Sequence, residues 1–388
     1  MEMEKKVRIW IFLLVVINIS FAFLFFRYGI SGFHVTVLVY LTLLYIIAAT
    51  IKSNVIRINL IVFLSLLLVS EVYLRISKKG FPNYIENNST SLFCMYQSRS
   101  FGTSGRLLNG LYINRPNSER TEKKVEFQYN HRYNEMGLRD TVLSFYRNKK
   151  NILLLGDSYT EGVGAPADSS GPRAVEYHLK EMGKNYDVIN AGVSGSDIVY
   201  AYGLLDTLFK QTQPKIVLYN LHYSDIDDIM FKGGDERFTN GARKAFWWEY
   251  IYSFSCIYRI VSNRILHLNP DTTTKDDFNF ALEEIKQKVV DFNEYCSKNK
   301  AIFVLIITPG PNELYNTYHF ANAFNLETTI KELDSPVNYI NTQQILTDEI
   351  NRSNDVDKYY HRLDFHLTAY GYWLWGKIVA SGLKNIPD

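Results

Sequence analysis

The stretch Leu153-Leu154-Leu155-Gly156-Asp157-Ser158-Tyr159-Thr160-Glu161-Gly162 sets an apolar run of strand length against a small-residue turn that presents a serine. In an open α/β sheet, ligands sit outside the carboxyl ends of the strands, so a serine there is placed for attack. A free hydroxyl is a weak nucleophile and needs a base within hydrogen-bond reach. Taken alone, Ser158 is as readily a cap for the helix that follows. Outward from this stretch, Asn151–Leu155, Asp187–Asn190, Lys215–Leu221, Ala301–Thr308 and Pro336–Ile340 read as strands, and Arg173–Met182, Asp197–Lys210, Asp276–Ser297 and Ala369–Leu383 as helices. Short, almost wholly apolar strands separated by helices predict a parallel sheet covered on both faces, a doubly wound α/β sandwich. Ile229–Asp271 interrupts the alternation, and its Phe246-Trp247-Trp248 and Tyr250–Leu268 segments predict an inserted helix near the mouth of the site. Upstream, 78–150 is a polar lead-in or cap, in which Val125-Glu126-Phe127-Gln128-Tyr129 suggests a short strand.

A base for Ser158 is available near the C-terminus, in Arg362-Leu363-Asp364-Phe365-His366-Leu367-Thr368-Ala369-Tyr370-Gly371. If that stretch is extended, residues two apart point to one side, so the Asp364 carboxylate and the His366 imidazole lie together. The carboxylate then fixes the tautomer and stabilises the imidazolium, and a Ser–His–Asp set is recognised by these roles rather than by order in the chain. Either signal alone has an ordinary structural explanation, and the two together favour catalysis.

On these residues the sequence resembles the SGNH/GDSL hydrolase superfamily, in the branch that carries N-terminal membrane spans. Gly156-Asp157-Ser158 resembles the family's first block and places its nucleophile on Ser158. Asn190-Ala191-Gly192-Val193-Ser194-Gly195 resembles the second, so that the oxyanion-hole glycine corresponds to Gly195, beside the backbone N–H of Ser158. Asp364 and His366 fall on the last block, and Asn134-Glu135-Met136-Gly137-Leu138-Arg139 is similar to the segment ahead of the first. The resemblance implies a flavodoxin-like three-layer sandwich with a central parallel sheet over 151–388, acting on ester bonds without a cofactor. One block departs. Where the family has strand–Gly-Asn-Asp, this chain has Asn220-Leu221-His222-Tyr223-Ser224-Asp225, which puts Ser224 at the position of the amide that donates to the oxyanion. Loss of one such donor costs about 10²–10³ in rate. Ser224 is the expected third donor, with Asn220 an amide near at hand.

The first 77 residues predict a membrane anchor with three transmembrane helices. Ile9–Phe26 and Phe33–Ile51 hold no Asp, Glu, Lys or Arg, and Ile58–Leu74 holds Glu71 alone, near its end and expected at the membrane interface. Lys5, Lys6 and Arg8 outweigh Arg27 across the first run, which predicts a cytoplasmic N-terminus and a globular domain outside.

Composition excludes some functions. With 42 Lys+Arg against 40 Asp+Glu there is no basic excess for neutralising phosphates, so nucleic acid is not an expected partner. Cys94, Cys256 and Cys296 lack metal-ligand spacing and allow at most one disulfide, and the eight histidines form no i, i+4 ligand pair, so no metal is expected. Trp247, Trp248, Trp373 and Trp375 are sugar-site or packing residues, and Asp225, Asp227 and Asp228 are spaced for a helix start. The expected substrate is an ester of an acylated carbohydrate of the cell envelope. A lipid ester is the next candidate. A non-catalytic glycan-binding or assembly protein partnering a membrane acyltransferase is the alternative from another class.

Overall fold

The computed structural model describes residues 12–19, 32–77, 106–108, 111–146, 149–235, 251, 255–266, 275–309, 323–333 and 336–386. Trp247, Trp248, Cys94, most of the expected first span and part of the expected inserted helix lie outside them. The chain divides into two compact units, Met1–Arg99 with Glu236–Thr273, and Ser100–Asp235 with Thr274–Asp388.

In the first unit residues 12–19 are helical, followed by α1 (Gly32–Thr50) and α2 (Asn54–Ser77). Among the described residues one helix is long and apolar enough to cross a bilayer, the 21 residues Asn54–Leu74. The described apolar part of α1, Thr36–Thr50, falls short of the ~20 residues that a ~30 Å core requires. Of the three expected spans, the third is thus borne out by length and composition, and most of the first lies outside the described residues. Glu71 is not at an exposed interface but fully buried: its carboxylate accepts from the Ile257 N–H at 2.9 Å and from the Cys256 N–H, at the start of α7 (Cys256–Val261). Cys256 is buried and forms no disulfide among the described residues.

The second unit begins with two antiparallel hairpins, β1–β2 (Arg106–Leu108, Leu111–Ile113) and β3–β4 (Glu119–Lys123, Gln128–Arg132). The second corrects the expected strand at Val125–Tyr129. The Lys124 N–H donates to the Phe127 carbonyl at 2.9 Å, so Val125 and Glu126 form a turn.

Five parallel strands follow, β5 (Asn151–Gly156), β6 (Asp187–Gly192), β7 (Ile216–His222), β8 (Ile302–Thr308) and β9 (Asn338–Asn341), in the order β6-β5-β7-β8-β9. The order reverses at β5, which makes its carboxyl end the topological switch point. Helices are α3 (Ser158–Glu161), α4 (Gly171–Glu181), α5 (Ile198–Thr212), α6 (Ser224–Lys232), α8 (Lys275–Lys298), α9 (Ala323–Lys331), α10 (Gln343–Ser353) and α11 (Ala369–Gly382). Strand alternation sends Leu153, Leu155, Val217 and Tyr219 to one core, with Leu204 and Leu208 of α5 and Phe292 of α8. Ile152, Leu154, Ile216 and Leu218 go to the other, with Val175 of α4 and Trp375 and Val379 of α11. Both faces are dry, which is why the strands read as unbroken apolar runs.

The α4–α11 contact rests on a glycine. A Cβ at Gly376 would lie 2.4 Å from Ala174 Cβ and 2.7 Å from its carbonyl carbon. Gly376→Ala should force the two helices apart and cost about 1–3 kcal/mol, the usual penalty for overpacking. A urea unfolding curve followed by circular dichroism checks this, and an unshifted midpoint would contradict the packing.

Candidate active site

β5 must end abruptly for its turn to form. Gly156 has φ +153°, and a Cβ there would lie 2.3 Å from Thr160 Oγ1, so no side chain fits. The next residue, Asp157, caps α3 by accepting from the Tyr159 N–H at 2.9 Å. Ser158 is thereby spared the capping role and stands in the first turn of the helix.

The structure brings Ser158, His366 and Asp364 together. His366 Nε2 lies 2.7 Å from Ser158 Oγ, and His366 Nδ1 lies 2.5 Å from Asp364 Oδ1. Burial pushes the Asp364 carboxyl up, but the hydrogen bond and charge of His366, with Lys124 and His361 behind it, outweigh that and hold it below the usual carboxylate range. The local route differs from the expected one. Asp364–His366 is not extended: Phe365 is left-handed at φ +68°, inside a turn closed by Phe365 N–H to His361 O at 2.9 Å and His361 N–H to His366 O at 2.8 Å. A non-glycine residue held there costs on the order of 1–3 kcal/mol, which the surroundings must offset.

Several of those surroundings were not singled out from the sequence. Tyr159 donates its hydroxyl to the Phe365 carbonyl at 2.8 Å, tying α3 to the His366 loop across 206 positions. His361 Nε2 is 2.9 Å from the Gly164 carbonyl, and Tyr372 donates to the Val163 carbonyl at 2.8 Å. Arg139, buried beneath the Tyr129 ring, donates to the carbonyls of Glu161, Gly162 and Ala165 at 2.6–3.1 Å. Glu161, also buried, accepts from Tyr133 Oη at 3.0 Å and from the Ser194 N–H at 2.7 Å. His131 lies between the Tyr129 and Tyr133 rings. Burial, with the Arg139 charge nearby, pulls its imidazole down to about 4. The lead-in segment is thus a scaffold under the loop that carries Ser158.

Gly195 lies in the loop after β6, with left-handed backbone at φ +73°. That loop is pinned to the end of β5, because the Val193 N–H and Ser196 Oγ both donate to the Gly156 carbonyl, at 2.9 and 3.0 Å. Ser224 is engaged elsewhere. Its hydroxyl donates to Asp157 Oδ2 at 2.8 Å and lies 2.8 Å from His222 Nδ1. His222 stacks on Tyr159 with ring centroids 4.0 Å apart, and burial together with the His366 charge holds it well below its ordinary value, as the neutral imidazole. Burial raises the Asp157 carboxyl, against bonds from Ser224 and the Tyr159 N–H that lower it. Asn220 belongs to a core chain in which Trp375 Nε1 donates to Thr308 Oγ1 at 2.8 Å and Thr308 Oγ1 donates to Asn220 Oδ1 at 2.5 Å. Trp375 is accordingly a packing residue. Asp225 accepts from the N–H groups of Ile198 and His222, at 2.7 and 2.9 Å, and so joins two loops.

Two outcomes test these electrostatics. Ser224→Ala leaves the buried Asp157 short of one donor and should cost about 1–3 kcal/mol of stability, measured by denaturant melts. A depressed folded-state pKa means that Asp364 stabilises above its unfolded value of about 3.9 and loses that contribution as pH falls through the lower folded value. Asp364→Asn should therefore flatten the loss of stability below about pH 4, with an unchanged slope contradicting the arrangement.

No protein-family model matches the chain. An uncharacterised protein of Mycoplasma pneumoniae is 34% identical over 94 residues, covering 23% of this chain and 11% of that one. Among solved structures, a two-domain esterase (CEX) active on acetylated mannans aligns at 16% identity and TM-score 0.39, over 62% of this chain and 51% of its own. The acetyl xylan esterase AlAXEase aligns at 14% and 0.39, over 60% and 99%, and a lipase/acylhydrolase from Enterococcus faecalis at 16% and 0.39, over 61% and 95%. The chain thus spans about half of the mannan esterase and about a tenth of the Mycoplasma protein. The five-stranded parallel sheet of the α/β unit agrees with the doubly wound fold expected from the sequence.

Proposed function

We propose that this chain is a membrane-anchored serine esterase or O-acyl transferase that acts through Ser158, His366 and Asp364. The observation that supports this most is the unbroken contact from hydroxyl to imidazole to carboxylate, 2.7 and 2.5 Å, at the switch point of the sheet. Asp364 accepts from Nδ1–H of His366, which leaves Nε2 bare to take the Ser158 proton. Ser158 Oγ attacks the ester carbonyl, and the tetrahedral oxyanion is met by the N–H groups of Ser158 and Gly195. The imidazolium returns its proton to the departing alkoxide, which leaves an acyl-serine. Water, or a hydroxyl of an acceptor sugar, then gives its proton to His366 and attacks the acyl carbon, and Ser158 is released.

Ser224 contributes to the oxyanion only by turning its hydroxyl away from Asp157, so the two backbone donors carry most of the charge. The site should therefore be slower than one with an amide at that place, by about 10²–10³. The substrate class we favour is an acylated glycan of the cell envelope, which an α/β unit held outside the membrane would meet. A lipid ester is the alternative that an adjacent bilayer offers. For the anchor, the proposal has Asn54–Leu74 crossing the membrane, with the two preceding apolar runs as further spans and the N-terminus inside. The engaged Ser224 hydroxyl favours one other reading, a non-catalytic glycan-binding domain that docks a membrane acyltransferase.

Ser158→Ala and His366→Ala in the full-length protein should each abolish turnover of a short-chain aryl ester, and Asp364→Asn should lower kcat by about 10⁴. A serine-reactive fluorophosphonate should label the wild type at Ser158. Activity unchanged by Ser158→Ala would refute the assignment, and absence of labelling would favour the binding-domain reading.

A further inference from the structure

The β3–β4 hairpin lies more than 230 positions before the loop that carries Asp364 and His366, yet its turn grips that loop directly. Glu126 Oε1 accepts from the Arg362 N–H at 2.8 Å, and Oε2 accepts from the N–H groups of Leu363 and Asp364, both at 2.9 Å. Three consecutive amides converging on one anion form a nest, here filled by the protein's own carboxylate. Charge-assisted bonds of this kind are roughly twice as strong as neutral ones. The third amide belongs to Asp364 itself, so the grip ends on the residue that holds the imidazole.

Two more contacts come from the same turn. Lys124 Nζ lies 3.9 Å from Asp364 Oδ2 and 3.8 Å from Glu122 Oε1. The Phe127 ring packs on the His361 ring with centroids 4.7 Å apart, and His361 in turn meets the Gly164 carbonyl behind the nucleophile. The hairpin thus touches each residue from His361 to Asp364, in the turn whose backbone is left-handed at Phe365.

We propose that Glu126 is a positioning residue, fixing the backbone on which Asp364 and His366 are set so that the imidazole reaches Ser158 already aligned. This inference rests on the esterase reading above. Its physical basis is that a misplacement of about 1 Å at a reacting group can cost 10²-fold in rate, and Glu126 supplies donor-matched charge to the three residues that set the position of Asp364. An ordinary surface contact between two turns would affect melting alone. A positioning contact lowers kcat and leaves KM in place, because the substrate-binding surface is untouched.

The test uses the purified full-length protein with a short-chain aryl ester, comparing wild type, Ser158→Ala, Glu126→Ala and Glu126→Gln. Glu126→Ala should lower kcat by about 10- to 100-fold with KM within about twofold, and slow fluorophosphonate labelling of Ser158 to a similar degree. Glu126→Gln, which keeps one acceptor oxygen and the side-chain volume, should fall between the two. If Ser158→Ala is inactive while both Glu126 variants keep wild-type kcat, the positioning role is overturned and the esterase reading stands. If Ser158→Ala is as active as wild type, the esterase reading itself fails. Should Glu126→Ala not fold, Glu126→Gln decides alone, with an unchanged kcat overturning the proposal and a reduced kcat at unchanged KM supporting it.

Discussion

The imidazole of His366 is the constraint on which the α/β unit is organised, because it must meet a hydroxyl on one side and a carboxylate on the other. Its nitrogens lie 2.7 Å from Ser158 Oγ and 2.5 Å from Asp364 Oδ1. Neither partner stands in a long element. Ser158 stands in a four-residue helix after a strand, and Asp364 in a turn with a left-handed residue beside it. Loops bury little apolar surface of their own, so contacts from the packed elements must hold them in this geometry.

Buried polar groups supply those contacts. Arg139 directs its guanidinium to three carbonyls of the loop after Ser158, Glu161 ties that loop to Ser194, and Tyr159 and Tyr372 fasten the Ser158 segment to Phe365 and α11. Leaving such groups unpaired in a dry interior would cost about 1–3 kcal/mol each, so each bond penalises any arrangement in which the loops drift apart. Apolar cores on the two faces set the sheet, and this polar layer at its carboxyl edge sets the site.

That division explains what the sequence made legible. The five strands are dry on both faces and stand out as apolar runs, and the Ser158 and Asp364–His366 stretches carry chemistry in their residue types alone. α10 did not stand out, since Leu346 and Ile350 are its only fully buried residues and the rest of QQILTDEINRS is polar. The turn at Val125-Glu126 was misread as strand because apolar and polar residues alternate there whichever side of the reversal they occupy. Phe365 gave no sign of its left-handed backbone, for nothing in a phenylalanine announces it. The contacts of Tyr159, Glu126 and Arg139 span from 22 to 238 positions, and pairing at such separations is decided by the fold rather than by local pattern. The hydroxyl of Ser224 could be named from its place in the block, but its bond to Asp157 required coordinates.

The interruption between β7 and β8 has a physical logic of its own. After α6 the chain leaves the α/β unit at Asp235 and rejoins it at Thr274, and the intervening Glu236–Thr273 belongs to the unit that contains the apolar helix α2. Within that unit, α7 begins on the carboxylate of Glu71, whose side chain is fully buried. A carboxylate in an otherwise apolar helix is tolerable only where donors meet it, and the first amides of α7, which have no acceptors inside their own helix, supply them. Each group removes the other's desolvation penalty. The helix with the length to cross a membrane is therefore completed by residues that come from beyond β7, so the N-terminal 99 residues are not a tether that could be cut away without consequence. Without them, the amides at Cys256 and Ile257 would lose the anion that caps them, and α7 would lose the helix α2 against which it packs.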